Sequence, residues 1–282
     1  MRRETVGRKR AGRWQAATPV LRFPAMELAG RIALVTGASG RGMGRSIALT
    51  LAREGADIVV NFKQQQERAE GVAKTIEAMG RRTLVHQADV SDAAAVLAMV
   101  EAAEAHFGRL DIVVASAGGS WQPRDLPDID PDDWRAMLAE EVDSAYALLR
   151  AALPRMRRRG WGRVVLIGGY RADDWRVGPP EAPLDYPLGK AARHWLARTL
   201  GPRELAHGVT INAIAPGPIE YVTPEQARRL VEGDPSAPLR AGVEAGDDPT
   251  PQDAAEVVAF LCSERARFVT GAVIPVVGRK EV

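Results

Sequence analysis

Short β-branched runs recur along this chain, each separated from the next by a longer stretch with helical spacing of apolar residues. The runs are RIALVT (31–36), DIVVNF (57–62), RTLVHQ (82–87), LDIVVA (110–115), GRVVLI (162–167), GVTINAI (208–214) and AVIPVV (272–277). Most are continuously apolar, as strands are when both faces of their sheet are covered. Helices are predicted near 43–54, 65–79, 91–107, 131–158, 184–206 and 251–264. The alternation predicts an α/β fold, a doubly wound parallel sheet of about seven strands with helices on both faces. No internal repeat or long linker divides residues 26–282, which are read as a single domain. Segments 119–131 and 170–185, rich in Pro and Asp, are expected to be loops over a site. Residues 218–250 are expected to form a small lid with a short helix near 224–232.

Charge narrows the function classes. Residues 1–25 carry seven Lys/Arg and one Glu, so their net charge of +6 conceals a balance of −4 over the rest of a chain that totals +2. A nucleic-acid reading would rest on that segment alone. It lacks periodicity, and Met26 opens MELAGRIALVTG, so 1–25 is read as a disordered basic extension or the result of an upstream start codon. An Arg-rich leader is the alternative. No apolar run is long enough to span a membrane, and no secretory h-region is present. The single cysteine, Cys262, sits in an apolar helical pattern, which predicts a buried inert thiol in a reduced cytoplasm. The four histidines are scattered and no metal-ligand spacing occurs, so the expected partner is a small molecule, with no metal, nucleic acid or membrane.

The first strand runs into TGASGRGMGRSIALTLAREGA. Glycines between a strand and a helix let backbone N–H groups approach a pyrophosphate at the positive end of that helix. Further landmarks are ADV (88–90), ASAG (115–118), YPLGK (186–190), NAIAPGPI (212–219) and FVTGAVIPVVG (268–278). In their order and spacing these residues resemble the short-chain dehydrogenase/reductase family over nearly all of 27–278. The pattern is closest to the branch that contains 3-oxoacyl-acyl-carrier-protein reductases. The resemblance implies an enzyme that interconverts a carbonyl and an alcohol with a nicotinamide dinucleotide.

Carried onto this chain, the family's cofactor loop corresponds to Gly37, Ser39, Arg41, Gly42, Met43 and Gly44, with Gly40 as a one-residue insertion. Asp89 and Val90 match the pair that holds the adenine. Ala117 and Gly118 match the segment beside the ribose, although Ala115 and Ser116 replace its two asparagines. Pro216, Gly217 and Ile219 complete the cofactor set. An NAD site of this kind wants a carboxylate at the end of the second strand. That strand ends NFK, and Lys63 and Arg41 are placed where a 2′-phosphate would sit, which favours NADP(H) over NAD(H).

Tyr186 and Lys190 are four residues apart on one helix face. Reduction of a carbonyl needs an acid beside the developing alkoxide, and a tyrosine with a pKa of about 10 needs help to act near neutrality. A lysine ammonium close by stabilises the tyrosinate. Pro187 requires Tyr186 to lie in the helix's opening turn. The resemblance also marks departures. Gly169 falls where the family has a substrate-binding serine, and Asp143 where an asparagine supports a proton relay. The stretch from Gly169 to Tyr186 is longer than usual, and a common family spacing counted back from Tyr186 lands on Asp173. Short-chain pteridine reductases use an aspartate in the serine's role. Asp173, Asp174, Tyr170 or, more distantly, Ser116 could therefore supply the lost hydrogen bond.

Trp121, Trp175, Tyr170 and Tyr221 in the flanking loops suggest a polar or aromatic substrate. Apolar residues occur on more than one side of helices 131–158 and 184–206, the helices through which members of that family pair, so the resemblance implies a homodimer or homotetramer. Two rival readings stand beside the reductase: a catalytically weakened dinucleotide-binding sensor or scaffold, and a non-redox lyase or isomerase using Tyr186.

Overall fold

All seven expected runs become strands, β1 (Ile32–Val35), β2 (Asp57–Phe62), β3 (Thr83–Gln87), β4 (Ile112–Ala115), β5 (Gly162–Ile167), β6 (Val209–Pro216) and β7 (Val273–Val276). This is a computed structural model that describes residues 26–40, 42–120, 122, 124–174, 183–217, 219 and 249–277. The basic extension, nearly all of the expected lid, Arg41, Trp121, Trp175 and Tyr221 lie outside the described residues. The strands form one parallel sheet in the order β3-β2-β1-β4-β5-β6-β7. The winding reverses between β1 and β4, and in such sheets the crevice beyond the carboxyl ends at that reversal is where ligands bind.

Helices α1 (Met43–Arg53), α2 (Gln66–Ala78), α3 (Ala93–Phe107), α4 (Pro131–Leu138), α5 (Ser144–Arg159), α6 (Asp185–Glu204) and α7 (Pro251–Cys262) connect and cover the strands. Strand residues alternate between two buried layers. Val35, Val60, Val114 and Ile167 pack with Ile47 and Leu51 of α1 and Val258 and Leu261 of α7. Leu34, Val59, Val113 and Leu166 pack with Met99 of α3 and Leu148 and Met156 of α5. Truncating one such Leu or Ile to Ala typically costs about 2–5 kcal/mol. Cys262 belongs to the first layer, and burial pushes its thiol up to about 12, so it is an inert packing group.

Among the described residues, three helix starts are closed by side chains. Asp92 accepts from Ala94 and Ala95 at the head of α3, Asp130 accepts from the Asp132 N–H at the head of α4, and Thr250 and Asp253 cap α7 reciprocally. Helix α1 has no side-chain cap at Gly42, so its first-turn N–H groups face the crevice without one. One helix differs from expectation. The stretch 131–158 is not continuous but contains a wide π turn at Ala139–Asp143. That turn leaves carbonyls unspent by the helix ladder, and the buried guanidinium of Arg193 on α6 takes those of Glu140 (3.2 Å) and Glu141 (2.8 Å).

Candidate active site

The crevice is built from the end of β1. Gly37 has φ +65°, a left-handed turn that only glycine adopts without strain, and its N–H donates to Asn61 Oδ1 (3.1 Å). Asn61, buried at the end of β2, in turn donates to the carbonyl of Ala88 (3.1 Å) beyond β3. Three strand ends are thereby joined by one amide. In the sequence this position stands out only for its missing carboxylate. A Cβ on Gly44 would lie 2.5 Å from the Gly37 carbonyl oxygen, so glycine lets α1 close against the turn. Beside it, Thr36 Oγ1 accepts from the N–H groups of Ser116 and Ala117, both at 2.9 Å, and fixes the β4 end.

Of the residues predicted for the site, Gly37, Gly42, Met43, Gly44, Lys63, Asp89, Val90, Ala117, Gly118, Tyr186 and Lys190 line one cleft of about 360 Å³. Asn61, Ser116, Gly119, Glu140 and Ile167 line it too, and of these the sequence marks only Ser116 as a candidate. Ser39, Pro216, Gly217, Ile219, Asp143 and Asp173 do not line it. At one end, Lys63 Nζ lies 2.8 Å from Asp89 Oδ2 and 3.6 Å from Glu140 Oε1. The hydrogen bond to Asp89 raises the pKa of Lys63. Burial pushes the Asp89 carboxyl up, but Lys63 and Ser91 outweigh it and hold the group below its ordinary value.

At the other end, Pro187 does sit in the first turn of α6. Asp185, fully buried, accepts from the Tyr186 N–H (2.9 Å) and from Arg124 (3.2 Å), which ties this turn to the loop after β4. The Lys190 ammonium stands 5.1 Å from the centre of the Tyr186 ring. It also lies 3.0 Å from Glu141 Oε1 and 3.4 Å from the Ile167 carbonyl. Burial and the neighbouring Arg193 guanidinium push Lys190 down to about 8, with Glu141 pulling the other way.

Glu141 is the residue that sequence reasoning missed. The π turn aims it inward with no exposed surface, whereas Asp143, two residues on, is exposed on the outer face. The expectation for Asp143 is therefore corrected: the buried acid next to the lysine is Glu141. Its Oε1 accepts from the Gly119 N–H at 2.8 Å, and its Oε2 is 3.0 Å from Arg193 Nε. A signal for it existed in the sequence, since Arg193 follows Lys190 by three residues and a second cation on that helix face calls for an anion.

Asp173 is engaged elsewhere. It pairs with His194 Nδ1 (3.0 Å) and with Arg198, away from the cleft, so the structure does not bring it to Tyr186. Asp174 pairs with Arg171 (3.3 Å). At Gly169 a Cβ would lie 3.2 Å from Lys190 Cγ, so a serine there needs the lysine stem to give by a few tenths of an ångström. Among the described residues no cluster of His, Cys, Asp and Glu could hold a metal ion, and no helix is long and apolar enough to cross a membrane.

The family model described as enoyl-(acyl carrier protein) reductase matches residues 37–278. The 3-oxoacyl-acyl-carrier-protein reductase of Pseudomonas aeruginosa is 34% identical over 255 residues, covering 90% of this chain and 98% of that protein. A cyclohexanol dehydrogenase of Rhodococcus sp. TK6 is also 34% identical, covering 90% of this chain and 97% of its own. A solved structure described as a short-chain alcohol dehydrogenase of Sinorhizobium meliloti 1021 superposes with a TM-score of 0.76 at 32% identity, over 90% of this chain and 98% of that one. The chain belongs to the short-chain dehydrogenase/reductase family of oxidoreductases.

Proposed function

We propose that this protein is an NADP(H)-dependent oxidoreductase that interconverts a small-molecule carbonyl and its alcohol, with Tyr186 as the acid–base group and Lys190 as its electrostatic partner. The observation that carries the reading is the shared cleft: Lys190, 5.1 Å from the Tyr186 ring, lines the same space as the glycine turn. The cradle fits a dinucleotide, because its first helix turn lacks a side-chain cap and a side chain at Gly44 would collide with the turn. Bound there, the nicotinamide supplies or accepts the hydride. Backbone N–H groups of Gly37, Ser39, Gly42, Met43 and Gly44 would hold its pyrophosphate. Asp89 and Val90 would take the adenine, Ala117 and Gly118 the ribose, and Pro216, Gly217 and Ile219 the far end. Lys63 and Arg41 would meet the 2′-phosphate.

Tyr186 gives its hydroxyl proton to the developing alkoxide and recovers it in the reverse direction. Lys190 stabilises the tyrosinate in between. The missing hydroxyl at Gly169 removes one donor to the substrate oxygen, a loss on the order of 10²–10³ in rate where nothing replaces it. That feature also favours the second reading, a dinucleotide-binding protein with weak catalysis. We place the protein in the cytoplasm as a homo-oligomer.

The test is a panel of carbonyl compounds that includes 3-oxoacyl thioesters and cyclohexanone, followed by nicotinamide absorbance. Turnover should be found and should fall at least a hundredfold in Tyr186→Phe, with NADPH affinity nearly intact. An activity that survives Tyr186→Phe ends this mechanism, and tight binding without any turnover selects the second reading.

A further inference from the structure

Lys190 is not the sole charge beneath Tyr186. Its ammonium lies against Glu141, and Glu141 lies against Arg193, three groups with at most 6% of their side-chain surface exposed. A carboxylate is costly to bury unless it is paired and hydrogen-bonded. Glu141 Oε1 meets both conditions through Lys190 and the Gly119 N–H, while Oε2 has the ion pair to Arg193 and no hydrogen bond of its own. The surroundings are cut to its shape. A Cβ on Gly118 would lie 2.4 Å from Glu141 Oε1, and one on Gly189 would lie 2.5 Å from Glu141 Cβ. Any larger residue at either position would displace the carboxylate.

Counting charges shows what the arrangement does. Lys190 and Arg193 alone would place two positive charges in a dry site, and the group that can shed a proton is Lys190. Lys190 and Glu141 alone would cancel, leaving nothing to stabilise a tyrosinate. All three together leave a single net positive charge. We propose that Glu141 and Arg193 are a matched pair of positioning residues, which together hold Lys190 as an ammonium and keep one net positive charge beneath Tyr186. This rests on the roles given above to Tyr186 and Lys190.

Geometry supports the division of labour. Two of the three ammonium protons of Lys190 have acceptors in the protein, Glu141 Oε1 and the Ile167 carbonyl, so its direction is set before any ligand arrives. Arg193 is anchored independently by the carbonyls of Ala115 (3.0 Å), Ile167 (3.1 Å) and Ala117 (2.8 Å) at the ends of β4 and β5. The charged or titratable groups facing Lys190 are Tyr186, Arg193 and His194 on its own helix and Glu141 on the π turn. Glu140 of that turn and Lys63 and Asp89 of the far wall line the same cleft. His194 is held neutral by burial, so it adds no charge near neutral pH.

The experiment follows the Lys190 ammonium by ¹⁵N NMR against pH in the unliganded full-length protein, in parallel with the pH profile of turnover. Glu141→Gln should lower the Lys190 transition by about 1–3 pH units, the usual effect of losing an adjacent opposite charge. Arg193→Met should raise it, and the double variant should return it to near its native position. The basic limb of turnover should move in the same directions. Two single shifts of opposite sign that cancel in the double variant are not what lost packing produces. Should Arg193→Met not fold, Arg193→Lys keeps the charge and should leave the transition in place, and Glu141→Gln then decides alone. A folded Glu141→Gln protein with an unmoved transition overturns the proposal. So does a double variant that shifts as far as Glu141→Gln. Because the NMR reading needs no cofactor, the expected shifts in a protein without turnover would count against the oxidoreductase reading and leave the pairing standing.

Discussion

His194 Nδ1 lies 3.0 Å from Asp173 Oδ1, and the Nε2 of the same ring faces the Gly169 N–H at 3.4 Å. One buried imidazole thus joins the loop after β5 to α6 at two points. With Asp173 accepting at Nδ1, the neutral ring carries its proton there and presents Nε2 as an acceptor. The rebuilt loop between Gly169 and Tyr186 therefore spends this acid on structure.

Asp173→Asn should lower thermal stability and leave turnover per folded molecule unchanged within about twofold, less than 1 kcal/mol in barrier height. The sign of the pH effect follows from the carboxyl. Burial raises its pKa, but Arg198 and His194 outweigh burial and hold it below the ordinary value. A group depressed in this way adds stability above its unfolded pKa of 3.8, and that stability is lost as pH falls through the folded value. Melting curves from pH 7 to pH 3 should show the native protein losing its advantage over Asp173→Asn at the acid end. A tenfold fall in kcat for Asp173→Asn at unchanged melting temperature would return Asp173 to the reacting groups.

The adjacent glycines should respond very differently. A Cβ at Gly168 would stand 2.2 Å from His194 Nε2, a ring with 1% of its surface exposed and fixed by Asp173. Gly168→Ala should destabilise by about 1–3 kcal/mol, the usual cost of overpacking, read as a drop of several degrees in melting temperature. At Gly169 the nearest atom is 3.2 Å away on the flexible stem of Lys190, so Gly169→Ser should change melting by little. Equal effects at the two positions would show that the His194 contact does not govern this loop.

The fold was legible in the sequence, and the site only in part, for identifiable reasons. Continuous apolar runs such as DIVVNF and GRVVLI mark buried parallel strands, and both match their observed bounds. The glycine turn and the Tyr186–Lys190 spacing could be read because local chain geometry dictates them. Glu141 could not be placed by counting, because the π turn shifts which residue of AEEVD faces inward. Asp143 was assigned by matching EEVDSAYALLRAALPRM to the family pattern, and the structure turns that residue outward and Glu141 inward. Asp173 was assigned by spacing alone, and its partners His194 and Arg198 lie more than twenty residues away in the chain.

Cofactor preference is testable through Lys63. Its ammonium rests on Asp89 at 2.8 Å and remains half exposed, so it can turn toward a phosphate at little cost. Lys63→Asp would set a carboxylate beside that of Asp89 and should weaken NADPH binding by about 1.5–3 kcal/mol, the range for a charge-assisted contact. NADH affinity should change much less, so the two dissociation constants should converge. Isothermal titration of both nucleotides against both proteins decides it. Native protein that binds NADH as tightly as NADPH would end the NADP(H) assignment.

Assembly is the last expectation. Tyr146 on α5 and Leu188 and Trp195 on α6 keep 56%, 48% and 64% of their surface exposed. Side chains of this size left in water on two helices are a surface that a second copy would cover. Identical copies meeting through such a patch form a closed two-fold pair, in which each residue contacts its counterpart's neighbourhood. Light scattering at micromolar concentration should therefore give at least twice the chain mass of 30.4 kDa. The double substitution Tyr146→Glu and Trp195→Arg places charges on the patch without touching the buried layers. It should shift the protein to the single-chain mass while the circular dichroism spectrum stays native. A native protein already at the single-chain mass would refute the assembly, and a double variant that still pairs would move the interface to another surface.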